Sequence, residues 1–266
     1  MHVHALDRFE ARDSALHRSD PRLKIVLTLA VALSNAALPD GSWLAMGCMQ
    51  ALLVLAALAG GLRPWYAVVR SAVALPFMLA ATTVAFVTPG VPVAQIALGP
   101  WVLTPTVEGL ERLASIVLRA LLSVQVAILL TATTRVPDLL HALGHLGVPS
   151  ALVSVVGLMV RYLTVLVDEA QRLMRGTQSR SAAGPDGTGG SVFWRARVAG
   201  SMVGQLFLRS YERSERVHQA MLARGMDGRH LTLYGHVVRR RDHALAIIAI
   251  VGLIAVHIIA RAIPIR

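Results

Sequence analysis

The sequence predicts an all-α fold: a polytopic membrane protein of about five transmembrane helices, with two long amphipathic helices on the cytoplasmic side. Three observations predict it. Charged residues make up only 15% of the 266-residue chain and hydrophobic ones 55%, where soluble domains carry about 25% charge. The apolar residues gather into runs long enough to cross a hydrocarbon core. The basic residues avoid the loops on one side of those runs.

The first run, Leu23 to Leu38, follows Asp20-Pro21. Asp suits an N-cap and Pro the first helical position, so a helix begins at Pro21. Pro39-Asp40-Gly41 ends it with turn chemistry. From Pro21 to Leu38 the helix is about 27 Å long, close to a hydrocarbon core of about 30 Å. The second run, Ser42 to Gly61, returns across the membrane and stops at Arg63-Pro64. The third extends from Tyr66 to Thr88, with a kink expected at Pro76. Residues 88–107 contain Pro89, Pro92, Pro100 and Pro105 and no basic residue, which reads as a loop with a short hairpin. The fourth run is Val107 to Thr134 and the fifth His243 to Ala260.

Between the last two runs, Arg recurs every few residues. Pro137 and Pro149 bracket a short helix, Asp138 to Leu146. A long helix follows from Ser150 to Ala182, and a second from Val192 to Arg224. Gly184-Pro185-Asp186-Gly187-Thr188-Gly189-Gly190-Ser191 separates them, a composition with no helix propensity that reads as a flexible linker over 184–191. In the second long helix Ala199, Val203, Leu206, Ser210, Val217 and Met221 recur at steps of three and four or their multiples, the pattern of a helix lying on or beside a membrane. The expected division is an N-terminal cytoplasmic segment (1–20), four spans (21–134), a cytoplasmic helical domain (135–242), and a last span with an outward C-terminus (243–266).

The net charge is +11, and every basic residue except Lys24 is Arg. With the N-terminus in the cytoplasm, segments 1–24, 61–70 and 134–242 hold 22 of the 26 basic residues and the two outward loops hold none. The positive-inside rule explains that distribution in a cell membrane, so no nucleic-acid partner is needed. Of the other four, Arg112 and Arg119 lie within the fourth run, and Arg261 and Arg266 fall outside against the rule. The first 24 residues are too charged for a signal-peptide core. Cys48 is the single cysteine, which excludes a disulfide framework and reads as a small buried apolar residue.

Chemistry-bearing motifs are few. The chain has no phosphate-binding P-loop, no Gly-x-Ser-x-Gly and no His-Glu-x-x-His. It reads as a non-catalytic chain without cofactors, whose energy input comes from another subunit. A lipid-phosphate transferase would need acids, His or a nucleophile in one plane, and no such cluster is visible. Met1-His2-Val3-His4, and His141 with His145, have metal-compatible spacing but read as a mobile terminus and a helix face. Arg119, about twelve residues into the fourth run, is either a contact to a partner or substrate, or an Arg that pairs with a backbone carbonyl, snorkels, or lies nearer the end of its span than the run suggests. Ser179-Arg180-Ser181 and Ala223-Arg224-Gly225 each put an Arg between small residues at a helix C-terminus. This suits either the helix dipole and ordinary capping or close approach to a partner's carboxylate.

Several ordered motifs together carry a family resemblance: Asp20-Pro21-Arg22-Leu23-Lys24, Val107-Glu108-Gly109-Leu110 with Arg119, Thr134-Arg135-Val136-Pro137-Asp138-Leu139-Leu140, Leu146-Gly147-Val148-Pro149, Arg161-Tyr162 through Asp168-Glu169-Ala170, and Ala220 through Gly228. The chain resembles the transmembrane T component of energy-coupling factor (ECF) transporters, cobalt/nickel type (CbiQ). The resemblance implies a scaffold whose two cytoplasmic coupling helices dock two ATP-binding cassette ATPase subunits through one Arg motif each. Ala223-Arg224-Gly225 matches that motif. Ser179-Arg180-Ser181 departs by Ser for Ala at its first position, and Met174-Arg175-Gly176 is a rival. The resemblance also implies a separate membrane S component that holds the metal. A T component serving a vitamin-type S component is the alternative.

Overall fold

The computed structural model of the chain describes residues 9, 10, 12, 14, 16–93, 96–98, 101–180, 191–226 and 240–262. It divides into two compact units, residues 2–142 with 234–266, and residues 143–233. The architecture is that of an all-α polytopic membrane protein, as the composition predicts.

The first unit contains helices α1 (Pro21–Ala36), α2 (Trp43–Ala59), α3 (Pro64–Arg70), α4 (Leu75–Ala81), α5 (Val84–Val87), α6 (Val107–Thr133) and α10 (Arg240–Ala262). Helix α7 (Val136–His145) lies at its boundary. α1 starts as its sequence dictates: the Asp20 side chain accepts from the Arg22 amide at 2.8 Å, with Pro21 in the first turn. The third run stays helical across Trp65–Val87 but is distorted beside the expected kink. A 3-10 turn, Ser71–Ala74, separates α3 from α4, because Pro76 has no N–H to give and its ring crowds the carbonyl four residues back. The expected hairpin is present, with β1 (Ile96–Leu98) pairing antiparallel to β2 (Trp101–Leu103).

Polar contacts at the helix ends set the direction of each helix. On one face the Lys24 ammonium donates to the Thr133 carbonyl at 3.1 Å, near the charges of Asp20, Asp138 and Asp242. There too the Glu10 amide donates to the Ala132 carbonyl at 3.1 Å, and Arg12 donates to the Gly61 carbonyl. His17 joins this strap through Ser14 (2.7 Å) and the Glu10 carbonyl (3.0 Å), and burial lowers its pKa. On the other face the Gly41 amide donates to Ser115 Oγ at 3.1 Å, the Val91 amide to Glu108 Oε2 at 2.9 Å, and Ser34 Oγ meets His257 Nε2 at 2.9 Å. Hence α1 and α10 run parallel, and α2 and α6 run against them. The core between these helices is aliphatic, built around Met49, Leu53, Leu122, Val126, Leu253 and Val256.

Polar side chains inside the unit are paired across helices. Gln50 Nε2 donates to Gln125 Oε1 at 3.0 Å, and Asn35 Nδ2 donates to the Arg119 carbonyl and to Ser123 Oγ. Such pairs add cohesion where lipid supplies no hydrophobic drive between helices. Small residues do the same by shape: a Cβ on Gly252 would stand 2.7 Å from Leu52 Cδ1, so the Leu52 side chain lies close against α10 and would have to shift for any larger residue there. Outward-facing Leu33, Phe77, Leu79 and Ile248 are exposed.

By length and composition, Trp65–Val87, Val107–Thr133, Ser150–Arg180 and Asp242–Ala262 could each cross a membrane, and Trp43–Ala59 is a shorter apolar helix. Ser150–Arg180 was expected to be cytoplasmic. Its first half carries Arg161 alone among strongly basic residues, so its apolar content is higher than the Arg spacing of 135–242 suggests. The α1 helix, at 16 residues, is short for a span, yet its contacts run from the Lys24 face to the Asp40 face.

Candidate functional site

The second unit holds α8 (Ser150–Arg180) and α9 (Val192–Ala223). α9 opens at the N-cap Ser191, whose side chain accepts from the Trp194 amide at 3.2 Å. Of the linker expected at 184–191, all but Ser191 lies outside the described residues. The pairing of the two helices is fixed at two levels. Arg209 forms an ion pair with Glu169, which also meets Arg172 at 3.0 Å. Thr177 Oγ1 lies 3.5 Å from Met202 Sδ. Residue numbers rise on α8 as they fall on α9, so the contacting segments are antiparallel.

Antiparallel pairing puts the two C-terminal ends at opposite ends of the unit. Arg180 lies 11 residues beyond Glu169, and Arg224 lies 15 beyond Arg209. Measured along the axes, the two Arg Cα atoms are separated by about 40 Å. The sequence-predicted site residues are therefore two separate sites, not one cluster.

Arg224 is the better defined of the two. It is the C-cap of α9, and Gly225 follows with φ at +73°, a conformation that only glycine adopts without strain. The Met226 amide donates to the Met221 carbonyl at 3.1 Å and the Gly225 amide to the Leu222 carbonyl at 2.9 Å. These two bonds form a Schellman motif, which closes the helix and holds the Arg224 backbone in one geometry. Ala223, Arg224 and Gly225 are all exposed. Arg180 is the last residue of α8, with Ser179 beside it donating to the Gly176 carbonyl at 3.1 Å. Both are exposed, and Ser181 lies outside the described residues. Arg175 is also exposed, one turn back. Among the described residues, neither Arg180 nor Arg224 has an ion-pair partner.

The apolar surface of α9 differs from the expected stripe. Leu206, Val217 and Met221 are half-buried as predicted, together with Val198 and Met202, whereas Ala199 and Val203 are exposed. Phe207, Leu208 and Tyr211 are exposed as well. α9 thus has more apolar surface than its contact with α8 covers.

Arg119 resolves to the carbonyl-paired reading. Its guanidinium donates to the Leu38 carbonyl at 2.6 Å and the Asp40 carboxylate at 2.7 Å, with Arg112 3.7 Å from the same carboxylate. His2 and His4 lie outside the described residues, and among the described residues no three His, Cys, Asp or Glu side chains gather as metal ligands. Sequence reasoning missed the Glu169–Arg209 bridge; Glu169 with Arg172 at i,i+3 was the one local signal of it.

The sequence pattern of the cobalt transport proteins, CbiQ, matches residues 12–234. The chain belongs to this family. Relatives extend the match. The energy-coupling factor transporter transmembrane protein EcfT of Acidaminococcus fermentans is 29% identical over 253 residues, covering 86% of this chain and 88% of that protein. EcfT of Limosilactobacillus fermentum is 26% identical, with 94% of each chain covered. An uncharacterised protein of Methanocaldococcus jannaschii is 30% identical over 166 residues, a match that spans 62% of this chain and only 55% of that relative. This CbiQ-family chain is thus a transmembrane T component of the ECF transporter class. The family match ends at residue 234, so it takes in both candidate Arg motifs.

Proposed function

We propose that this CbiQ-family chain is the non-catalytic transmembrane scaffold of an ECF-type importer of cobalt or nickel ions. In this reading α8 and α9 are coupling helices in the cytoplasm. Arg180 and Arg224 dock one ATP-binding cassette subunit each, and a membrane S component carries the metal. ATP binding draws the ATPases together, the tethered helix ends follow, and the exposed apolar side of α9 passes the movement to the S component, which reorients.

The observation that carries this reading is the pair of exposed helix-end guanidiniums, about 40 Å apart along an antiparallel pair. One is locked by a Schellman motif. An unpaired guanidinium on a rigid helix end forks onto a partner carboxylate at small entropic cost. Topology supports placing α8 and α9 on the cytoplasmic side with the N-terminus. α6 ends beside Lys24 and α10 begins there, so the intervening segment leaves and re-enters at one face. It therefore crosses the membrane an even number of times, and α9, unlike α8, is not among the helices apolar enough to cross.

The test is co-purification with the candidate ATPase in mild detergent, comparing wild type with Arg180→Glu plus Arg224→Glu. Wild type is expected to carry the ATPase and the double variant to lose it. Equal recovery would move the docking surface elsewhere, with α7 the next place to look. A second reading, a T component serving a vitamin-type S component, is favoured by the EcfT relatives, whose names specify no metal. Uptake of radiolabelled cobalt or nickel in cells expressing the assembled transporter separates the two.

A further inference from the structure

Arg261 is one of the four basic residues outside the segments 1–24, 61–70 and 134–242, and with Arg266 one of the two after the last run. It sits in the last turn of α10, exposed, on the face of the membrane unit opposite Lys24. It has no ion-pair partner among the described residues. Beside it, α1 and α10 leave a groove of about 450 Å³, within the range of about 300–1,000 Å³ typical of ligand clefts. Ala30 and Ser34 of α1 line one side; Ile250, Ile254, Ile258 and Arg261 of α10 line the other. Both helices belong to the same compact unit.

The groove is polarised along its length. From Ile250 to Ile258 its α10 wall is aliphatic except at His257. His257 Nε2 and Ser34 Oγ bond each other at 2.9 Å, which leaves Arg261 as the one fixed cation among the lining residues. From Ile250 to Arg261 the helix rises about 16 Å. That is half of a hydrocarbon core of about 30 Å. The groove is therefore one leaflet deep, with its cation at the surface and its apolar end near the midplane. A transmembrane helix would need a groove of full depth, whereas one lipid chain with an anionic headgroup has this length and this charge. Guanidinium is also the side chain best matched to a phosphate, which it can bind through two parallel hydrogen bonds.

We propose that the α1–α10 groove holds one anionic phospholipid, its acyl chain along Ile250, Ile254 and Ile258 and its phosphate on Arg261. The lipid extends the packing of α1, which at 16 residues is the shortest of the long membrane helices.

The experiment is native mass spectrometry of the full chain. The protein is delipidated in detergent, then given equal amounts of phosphatidylglycerol and phosphatidylcholine with matched chains. Wild type should retain a single phosphatidylglycerol with about tenfold preference, the scale of one charge-assisted hydrogen bond. Arg261→Gln should bring the preference to parity. Ile254→Trp, which fills the groove and keeps the cation, should lose the bound lipid. Arg63→Gln, an exposed cation on the other face, should behave as wild type. All variants are first checked for wild-type elution and melting. Preference surviving in Arg261→Gln, a lipid retained by Ile254→Trp, or no headgroup preference in wild type would each overturn the proposal. So would an Ile254→Cys crosslink to another protein chain in native membranes, which would assign the groove to a protein partner.

Discussion

A guanidinium in a membrane helix is costly unless its donors are satisfied, and Arg119 meets part of that cost through Nη2, while its buried Nε has no hydrogen-bond partner. Its partners are the last carbonyl region of α1, at Leu38, and the carboxylate of Asp40 in the following turn. The contact fastens α6 to the α1–α2 corner while keeping the charge near the membrane face. Arg119→Leu should therefore destabilise the protein by about 1–2 kcal/mol, between the value of an exposed pair and that of a buried charge-assisted bond. Thermal melting in detergent reads this, and Arg119→Lys should recover part of it, since both bonds leave one nitrogen, Nη2, a role an ammonium can take on a shorter stem. An unchanged melting temperature in Arg119→Leu would remove the contact from the account of stability. The sequence offered Arg119 as a question and not an answer because Asp40 lies 79 residues away, and no local pattern links the two.

At the scale of the element, what was legible depended on how local the signal is. The start of α1 at Pro21 and the closing glycine of α9 at Gly225 were readable because caps are written within a few adjacent residues. The 3-10 turn at Ser71–Ala74 was not, although Pro76 announced a disturbance; its position depends on Ser71, which is fully buried and donates to the Val68 carbonyl at 2.6 Å. The packed stripe of α9 was partly misread for a different reason. That helix is apolar over more than one face, so Val203 fitted a helical period as well as Met202 did, and only contact with α8 distinguishes them. The cap gives a prediction of its own. Gly225→Ala forces a Cβ onto a backbone at φ +73°, at a cost of about 1 kcal/mol. The last turn of α9 should then loosen. Recovery of the ATPase should fall while Arg224 itself is untouched and helix content, read by circular dichroism, stays at the wild-type level. Full recovery of the ATPase would mean that the Schellman geometry does not position Arg224.

For the whole molecule the decisive quantity is the number of crossings, because it decides whether both helix ends can reach the same compartment. The membrane unit alone makes the argument: α1 and α10 run parallel, so α8 and α9 together cross zero times or twice. Zero crossings keep Arg180 and Arg224 on one side, as docking to two ATPases requires. Two crossings would send Arg180 through the membrane, and α9 would have to carry Arg195, Arg197, Arg209, Arg213 and Arg216 into lipid, at about 2.5–3.5 kcal/mol for each central Arg. No packing of α9 offsets that, since none of its residues is buried. Single cysteines in a Cys48→Ser background distinguish the two cases. Val93→Cys, exposed in the loop after α5, should react with a membrane-impermeant maleimide on intact cells, and Val192→Cys, exposed at the start of α9, only after permeabilisation. If Val192→Cys reacted on intact cells together with Val93→Cys, α8 would be a true span. Arg180 would then face away from any cytoplasmic ATPase, and Arg224 alone would remain as a docking residue.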